Sequence, residues 1–230
     1  MHENILYSFR RCPYAMRARW AIMRCEIKVE LREIDLKNKP KELIKYSSKG
    51  TVPVLVTSNG RVIDESIDII KWALGISTKN TLVRMNEFHS KDEAFEIIKE
   101  NDTNFKYHLD RYKYSKRYIE EDKEAHKWKA LNILIDWNNR IKENSGLQSQ
   151  GWLLSSSESI ADWSIWPFVR QYRNISPEEF DKEKGLKELG KWLKFYLNHN
   201  SYKYLMHKYP AWKHENTRNY FPVDSSKLIL

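Results

Sequence analysis

The chain has 230 residues, of which 40 are basic and 31 acidic, and its formal net charge is +9. This length allows one large or two small domains, and two cysteines exclude a fold built on disulfide bonds. Because no apolar run approaches the ~20 residues that span a bilayer and no basic-then-apolar leader opens the chain, we expect a cytoplasmic protein without membrane contact.

The first third of the chain shows two alternating apolar patterns. Between Ile5 and about Ile76 the apolar period switches repeatedly between two and 3.6, which is typical of strands alternating with helices. In chain order the predicted elements are a strand at 4–8, a helix at 13–25, a strand at 28–34, a helix at 40–46, strands at 54–56 and 61–63, and a helix from 64 to about 74. The Asn59-Gly60 pair predicts a tight hairpin between the last two strands.

The apolar pattern after this point stays helical. We place a linker at 77–88, where a helix stop is predicted. Ser159 and Asp162 have the spacing of a capping box, which predicts a helix start, and Pro167 is expected to bend or shorten that helix. The sequence therefore predicts an α/β domain at 1–76 and an all-helical domain at 89–230.

Cys12 lies where the first predicted strand breaks directly into the first predicted helix, and Pro13 follows it. Proline at the first helical position gives up an amide that would have no partner, while the remaining amides and the helix dipole favour a nearby negative charge. Three cations are close in sequence, Arg10, Arg11 and Arg17, and such surroundings lower the pKa of a cysteine from ~8.5 to roughly 3.5–7.5. The pattern allows a thiolate nucleophile at neutral pH. The alternative is a small buried apolar residue.

Ala15 and Cys25 limit the thiol chemistry that is open to the chain. Because Ala15 stands where a dithiol motif has its second cysteine, only monothiol chemistry is available to Cys12. Cys25, near the end of the same predicted helix, is interpreted as an inert core residue.

Two other classes of ligand are not expected. The seven histidines have no close ligand pair and the cysteines lack zinc spacing, so we expect no metal site. The clusters at 37–41 and 111–118 mix cations with residues typical of nucleic-acid binding, but the basic residues are dispersed and a solvated helix face explains the second cluster equally well. Nucleic acid is therefore not an expected partner.

Several short motifs share their order and spacing with a known family. They are Cys12-Pro13-Tyr14-Ala15, Leu36-Lys37-Asn38-Lys39-Pro40, Thr51-Val52-Pro53-Val54-Leu55, Asp64-Glu65-Ser66 and the Ser-Ile-Ala-Asp box at 159–162. Together they resemble the cytosolic glutathione transferases, above all the cysteine-containing omega-like classes and glutaredoxin-like bacterial-type members. The resemblance implies a thioredoxin-like N-terminal domain followed by an all-α helical-bundle C-terminal domain.

The resemblance also implies a glutathione site. In the family, a proline matching Pro53 is cis and the preceding residue, here Val52, pairs its backbone with the cysteinyl part of glutathione. Glu65 and Ser66 match the pair that holds the γ-glutamyl end, and Lys39 matches a lysine that reaches the glycyl carboxylate. The alternatives are an ordinary trans proline, simple capping of a helix at 64–66 and a solvated lysine.

For the activity, the resemblance implies a glutathione-dependent transferase or thiol-disulfide reductase in which Cys12 forms a mixed disulfide with glutathione, the co-substrate. The second substrate is an unidentified electrophile or mixed disulfide, and a homodimer is implied. Two alternatives stay open: a conjugating transferase in which Cys12 only lines the site, and a non-catalytic glutathione-binding or scaffold protein.

Overall fold

A computed structural model describes residues 3–77, 91–146, 150–215 and 217–225. The described chain forms two compact units: unit 1 takes the residues before 78 and those from 199 onward, and unit 2 takes those from 91 to 198. Within these residues no helix is long and apolar enough to cross a membrane. No three His, Cys, Asp or Glu side chains in this part of the chain lie close enough together to hold a metal ion.

Unit 1 begins with the predicted alternation of strands and helices. Its elements are β1 (Ile5–Ser8), α1 (Pro13–Arg24), β2 (Val29–Glu33), α2 (Lys41–Tyr46), β3 (Val54–Val56), β4 (Val62–Ile63) and α3 (Ser66–Ile76). Strands β1 and β2 are parallel, with α1 between them in sequence, and β3 runs antiparallel to both β1 and β4. The predicted hairpin is confirmed, and Gly60 has the positive φ of 85° that its turn requires.

All the secondary-structure elements of unit 2 in its described residues are helices or helical turns. Its elements are α4 (Lys91–Glu100), a π-helical turn (Asn101–Phe105), α5 (Lys106–Lys113), a 3-10 turn (Ser115–Arg117), α6 (Lys123–Glu143), α7 (Ile160–Arg173), α8 (Pro177–Lys182), a 3-10 turn (Lys184–Leu186) and α9 (Lys187–Asn198). Its core is largely aromatic: Trp137, Trp163, Trp166 and Trp192 are fully buried.

The capping box at the start of α7 is confirmed. The Ser159 amide donates to Asp162 Oδ2 at 2.9 Å, and the Ser159 hydroxyl accepts from the Asp162 amide at 3.4 Å. We expected Pro167 to bend or shorten this helix; it does not shorten it, because the helix continues past Pro167 to Arg173. Pro167 lies in the third turn, and the helix accommodates it while burying nearly every side chain from 160 to 172.

The end of the chain departs from the predicted all-helical domain at 89–230. After α10 (Asn200–Leu205), strand β5 (Asn219–Phe221) pairs antiparallel with β2, which gives a five-stranded sheet of order β4-β3-β1-β2-β5. The Trp212 amide also donates to the Glu33 carbonyl at 2.7 Å. These backbone bonds place the residues from 199 onward in unit 1. Except for Ser77, the predicted linker at 77–88 lies outside the described residues.

Candidate active site

Cys12 is the N-cap residue of α1. Its backbone is extended (φ −73°, ψ 123°), and Pro13 is the first helical residue. The Cys12 amide donates to the Phe9 carbonyl at 3.0 Å, which closes a turn, and the Cys12 carbonyl accepts from the Met16 amide at 2.8 Å. The thiol therefore lies at the amino-terminal end of a 12-residue helix, where the helix dipole favours a thiolate.

The Cys12 side chain faces the segment that precedes β3. Its Sγ lies 3.7 Å from the Val52 carbonyl oxygen, and the half-buried side chain packs against the apolar cluster that contains Val52. The Val52–Pro53 bond is cis, as predicted. In the described part of the chain no hydrogen-bond partner is found for the Val52 amide, which leaves it able to donate to a ligand.

Cys25 has a different environment at the far end of α1. It is 5% exposed, and burial raises the pKa of its thiol to about 11. Neither of the two cysteines forms a disulfide. The interpretation of Cys25 as an inert core residue is consistent with this burial.

Alkylation is expected to discriminate between the two thiols. At pH 7.5, well below the Cys25 pKa of about 11, iodoacetamide should label Cys12 completely before Cys25 is detectably modified, because only the thiolate reacts. Peptide mass spectrometry on timed samples measures both rates. In denaturant the two rates should converge, and preferential labelling of Cys25 in the folded protein would contradict the assignment.

The predicted pair Glu65 and Ser66 lies at the amino-terminal end of α3. Ser66 is the first helical residue and is buried, whereas Glu65 is exposed on the extended backbone before it. The Ser66 hydroxyl accepts from Arg17 Nε at 3.0 Å. A hydroxyl, a helix amino terminus and a buried guanidinium together suit a carboxylate ligand.

Arg17 is a site residue whose role the sequence did not reveal. It was expected to act as a cation near Cys12, but its 2% exposed side chain hydrogen-bonds Ser66 and packs over the Tyr14 ring at 5.0 Å. The spacing of Tyr14 and Arg17 places both on one helix face and could have indicated that contact. No sequence signal joins Arg17 to a serine 49 residues away.

Lys49 is a second residue that the sequence analysis missed. Its Nζ lies 2.5 Å from Glu65 Oε1 and 3.4 Å from Asp64 Oδ2, and the hydrogen bond to Glu65 raises the pKa of Lys49. The Ser47 hydroxyl donates to Asp64 at 2.9 Å and lowers the pKa of that carboxyl. The Glu65 carboxylate thus accepts a hydrogen bond from an exposed ammonium group.

Lys39 is exposed, and its side chain lies beside Gly50, two residues before Val52. A Cβ built on Gly50 would lie 3.5 Å from Lys39 Nζ and 2.9 Å from Ile44 Cδ1, and Gly50 has a φ of 58°. Glycine at this position allows the backbone turn and lets the lysine pack closely. The ammonium group is therefore near the segment that leads to Val52.

Tyr7 is a core residue of unit 1. Its ring is fully buried, its hydroxyl accepts from Arg32 Nη1 at 2.7 Å, and burial raises the pKa of the phenol. A phenol that is buried and bound to a guanidinium fits a structural role.

Comparison with known proteins identifies the family. Residues 11–74 match the family described as glutathione S-transferase, N-terminal domain. The "Probable glutathione transferase" of Aplysia californica is 35% identical over 83 residues, which cover 34% of this chain and 90% of that protein. The chain belongs to the glutathione transferase family.

Other members of the glutathione transferase family match shorter parts of the chain or share its fold. Glutathione S-transferase omega-1 of Mus musculus is 39% identical over 62 residues, 27% of this chain and 26% of that protein. The matched part thus spans about a quarter of this omega relative. A glutathione transferase structure from Pseudomonas putida aligns with a TM-score of 0.70 at 17% identity and covers 89% of this chain and 91% of that one. This confirms the predicted architecture, a thioredoxin-like part followed by a helical part, except for the strand at Asn219–Phe221.

Proposed function

We propose that this protein is an omega-like, cytoplasmic glutathione-dependent thiol-disulfide reductase in which Cys12 is the nucleophile. The observation that carries the proposal is the position of the Cys12 thiol, at the amino-terminal end of α1 and 3.7 Å from the carbonyl before the cis Pro53. A conjugating enzyme needs no cysteine at this position, because glutathione brings its own sulfur. The homodimer implied by the family resemblance stays a prediction.

The groups around Cys12 fit the glutathione tripeptide. The Val52 amide would donate to the cysteinyl part, and the Ser66 hydroxyl, supported by Arg17, would hold the α-carboxylate of the γ-glutamyl end. Glu65 would accept from the γ-glutamyl amine in place of Lys49, and Lys39 would meet the glycyl carboxylate. The Pseudomonas putida structure holds one glutathione disulfide per protein subunit, which supports a family site for this class of ligand.

The proposed reaction is a pair of thiol-disulfide exchanges. The Cys12 thiolate attacks the glutathione sulfur of a mixed disulfide; a bond forms between Cys12 Sγ and that sulfur, and the other thiol leaves as a thiolate that takes up a proton. A second glutathione thiolate then attacks the same glutathione sulfur, which releases Cys12 thiolate and glutathione disulfide. Each cycle consumes one mixed disulfide and one free glutathione and yields one free thiol and one glutathione disulfide, so the disulfide bond passes from the substrate to glutathione. The fixed peptide makes the first attack nearly unimolecular.

Two assays on the wild-type protein test this proposal. We expect reduction of the mixed disulfide formed from glutathione and 2-mercaptoethanol, and little conjugation of 1-chloro-2,4-dinitrobenzene. When free glutathione is left out, mass spectrometry should find that the peptide containing Cys12 carries one glutathione molecule, attached through a disulfide bond. Conjugation without reduction would favour the transferase in which Cys12 only lines the site. Binding to immobilised glutathione with neither activity would favour a scaffold protein.

Replacing Glu65 with glutamine is expected to raise the KM for glutathione roughly tenfold with little change in kcat. The loss of one charged hydrogen bond at a distance from the reacting sulfur weakens ground state and transition state equally, by about 1.5 kcal/mol. Initial rates against glutathione concentration measure both constants. Asp68→Asn removes an equally exposed carboxylate of α3 that pairs with Lys71, and this control should leave KM unchanged. Equal effects in both variants would contradict the role of Glu65.

A further inference from the structure

The backbone of Arg10 is held at both of its polar groups by charged side chains. Its amide donates to Glu33 Oε1 at 2.6 Å, and its carbonyl accepts from Arg19 Nη2 at 2.7 Å. Its own guanidinium donates to the Met206 carbonyl at 3.2 Å. Arg10 lies in the turn closed by the bond from Cys12 to Phe9, two residues before the nucleophile. These contacts therefore fix the turn that presents Cys12.

Both charged side chains that hold Arg10 are buried. Arg19 is 0% exposed and Glu33 is 9% exposed. Arg19 lies two helical turns after Cys12, but helical side chains point towards the amino terminus, so its guanidinium reaches back to the turn before the helix. Within the described chain, Arg19 Nε and Nη1 and Glu33 Oε2 have no hydrogen-bond partner. A buried charge that few hydrogen bonds compensate acts strongly on its neighbours.

Several ionisable groups from different elements face one another here. Arg19 of α1 interacts electrostatically with Glu33 of β2, with Tyr209 of the C-terminal segment, and with Cys12 and Arg10. Burial raises the pKa of Glu33, and the nearby Arg19 opposes that effect. Cys12 thus interacts electrostatically with Arg19, whose charge in turn interacts with that of Glu33, and it also lies at the helix amino terminus.

We propose that Arg19 and Glu33 are positioning residues for Cys12 that also set its thiolate population. They fix the turn at 9–11 through the two polar groups of Arg10. The charge of Arg19 favours the Cys12 thiolate, and the carboxylate of Glu33 disfavours it. This proposal deepens the proposed function. It rests on that function in one respect, which is that Cys12 is the reacting group.

The test is the pH dependence of Cys12 alkylation by iodoacetamide without glutathione, followed by peptide mass spectrometry. Arg19→Met should raise the apparent pKa of Cys12 by roughly one unit, because a nearby positive charge is removed. Glu33→Gln should lower it, because the amide oxygen can still accept from the Arg10 amide while the negative charge is lost. A purely structural role of this pair would change the pKa in the same direction in both variants.

The control and the rescue variant keep the outcome clear. Arg24→Met removes a cation at the last residue of α1, roughly 18 Å along the helix from Cys12, and should leave the pKa unchanged. If Arg19→Met does not fold, the double variant Arg19→Met with Glu33→Gln takes its place, because it leaves neither charge buried without the other. The apparent pKa of Cys12 in this double variant should lie above its value in Glu33→Gln alone. Shifts of one sign in both single variants, or an unchanged pKa in either, would overturn the proposal. This test measures the alkylation of Cys12 and no turnover, so its outcome can be told apart from a failure of the proposed reductase activity, which the enzyme assays would show.

Discussion

Cys12→Ser is expected to lower the rate of glutathione mixed-disulfide reduction on the order of 1,000-fold or more, while glutathione binding changes less than about threefold. A serine hydroxyl stays protonated at neutral pH, and nothing in the described site is placed to act as its base, whereas a helix amino terminus favours the ionised form of a thiol. The substitution exchanges one atom, the sulfur that lies 3.7 Å from the Val52 carbonyl oxygen, so we expect the ligand groups to stay in place. Initial rates and isothermal titration calorimetry measure the two quantities.

Cys25→Ser is the matched control for this experiment. Because Cys25 is buried and its pKa is raised to about 11, it should contribute nothing to turnover, and activity per folded molecule should equal that of the wild type. Full activity in the Cys12→Ser protein would remove Cys12 from the mechanism. Loss of both activity and glutathione binding would point to a collapsed site.

The second large effect is expected on stability, from Asp162→Ala. The fully buried carboxylate of Asp162 accepts from the Leu153 amide at 3.1 Å, the Ser159 amide at 2.9 Å and Trp192 Nε1 at 2.8 Å. The Ser159 hydroxyl also donates to it at 2.5 Å. Alanine would leave these donors buried without partners and would remove half of the capping box. We expect a loss of roughly 3–5 kcal/mol in the free energy of unfolding.

Urea unfolding followed by far-UV circular dichroism measures this loss. Asp136→Ala removes an exposed carboxylate from α6 in the same unit and should change stability by less than about 0.5 kcal/mol. The loss of stability in Asp162→Asn should lie between those of Asp162→Ala and Asp136→Ala. Its amide oxygen can still accept from Trp192, while its NH₂ group faces the Ser159 amide. A loss below about 1 kcal/mol in Asp162→Ala would show that the network does not carry the stability assigned to it.

The first 77 residues were predictable because their signals are local. The helix start at Pro13, the hairpin at Asn59-Gly60 and the alternating strand at 28–34 each depend on neighbours within a few residues. The capping box of α7 is equally local, since both of its residues lie within one helical turn. In these places local preference and the final fold agree.

The features that were missed depend on residues far apart in sequence. Strand β5 has only three residues, and it is defined by its pairing with β2 rather than by a pattern of its own. The hydrogen bond from Arg19 to the Arg10 carbonyl likewise depends on how α1 packs in the fold. An arginine in a helix usually lies in solvent, so the sequence alone does not predict this bond. The motif residues around Cys12 could be named from the sequence, but not the burial of Arg17 and Arg19 beside them.

Because β5 covers the outer edge of β2, the thiol-bearing unit is made from both ends of the polypeptide. During synthesis its sheet gains the fifth strand only once residues 219–221 have emerged from the ribosome. A fragment ending after α3 would expose the unpaired amides and carbonyls of β2, and such open edges promote aggregation. Measurements of the Cys12 thiol should therefore use a protein that keeps residues 219–221, so that the outer edge of β2 stays paired.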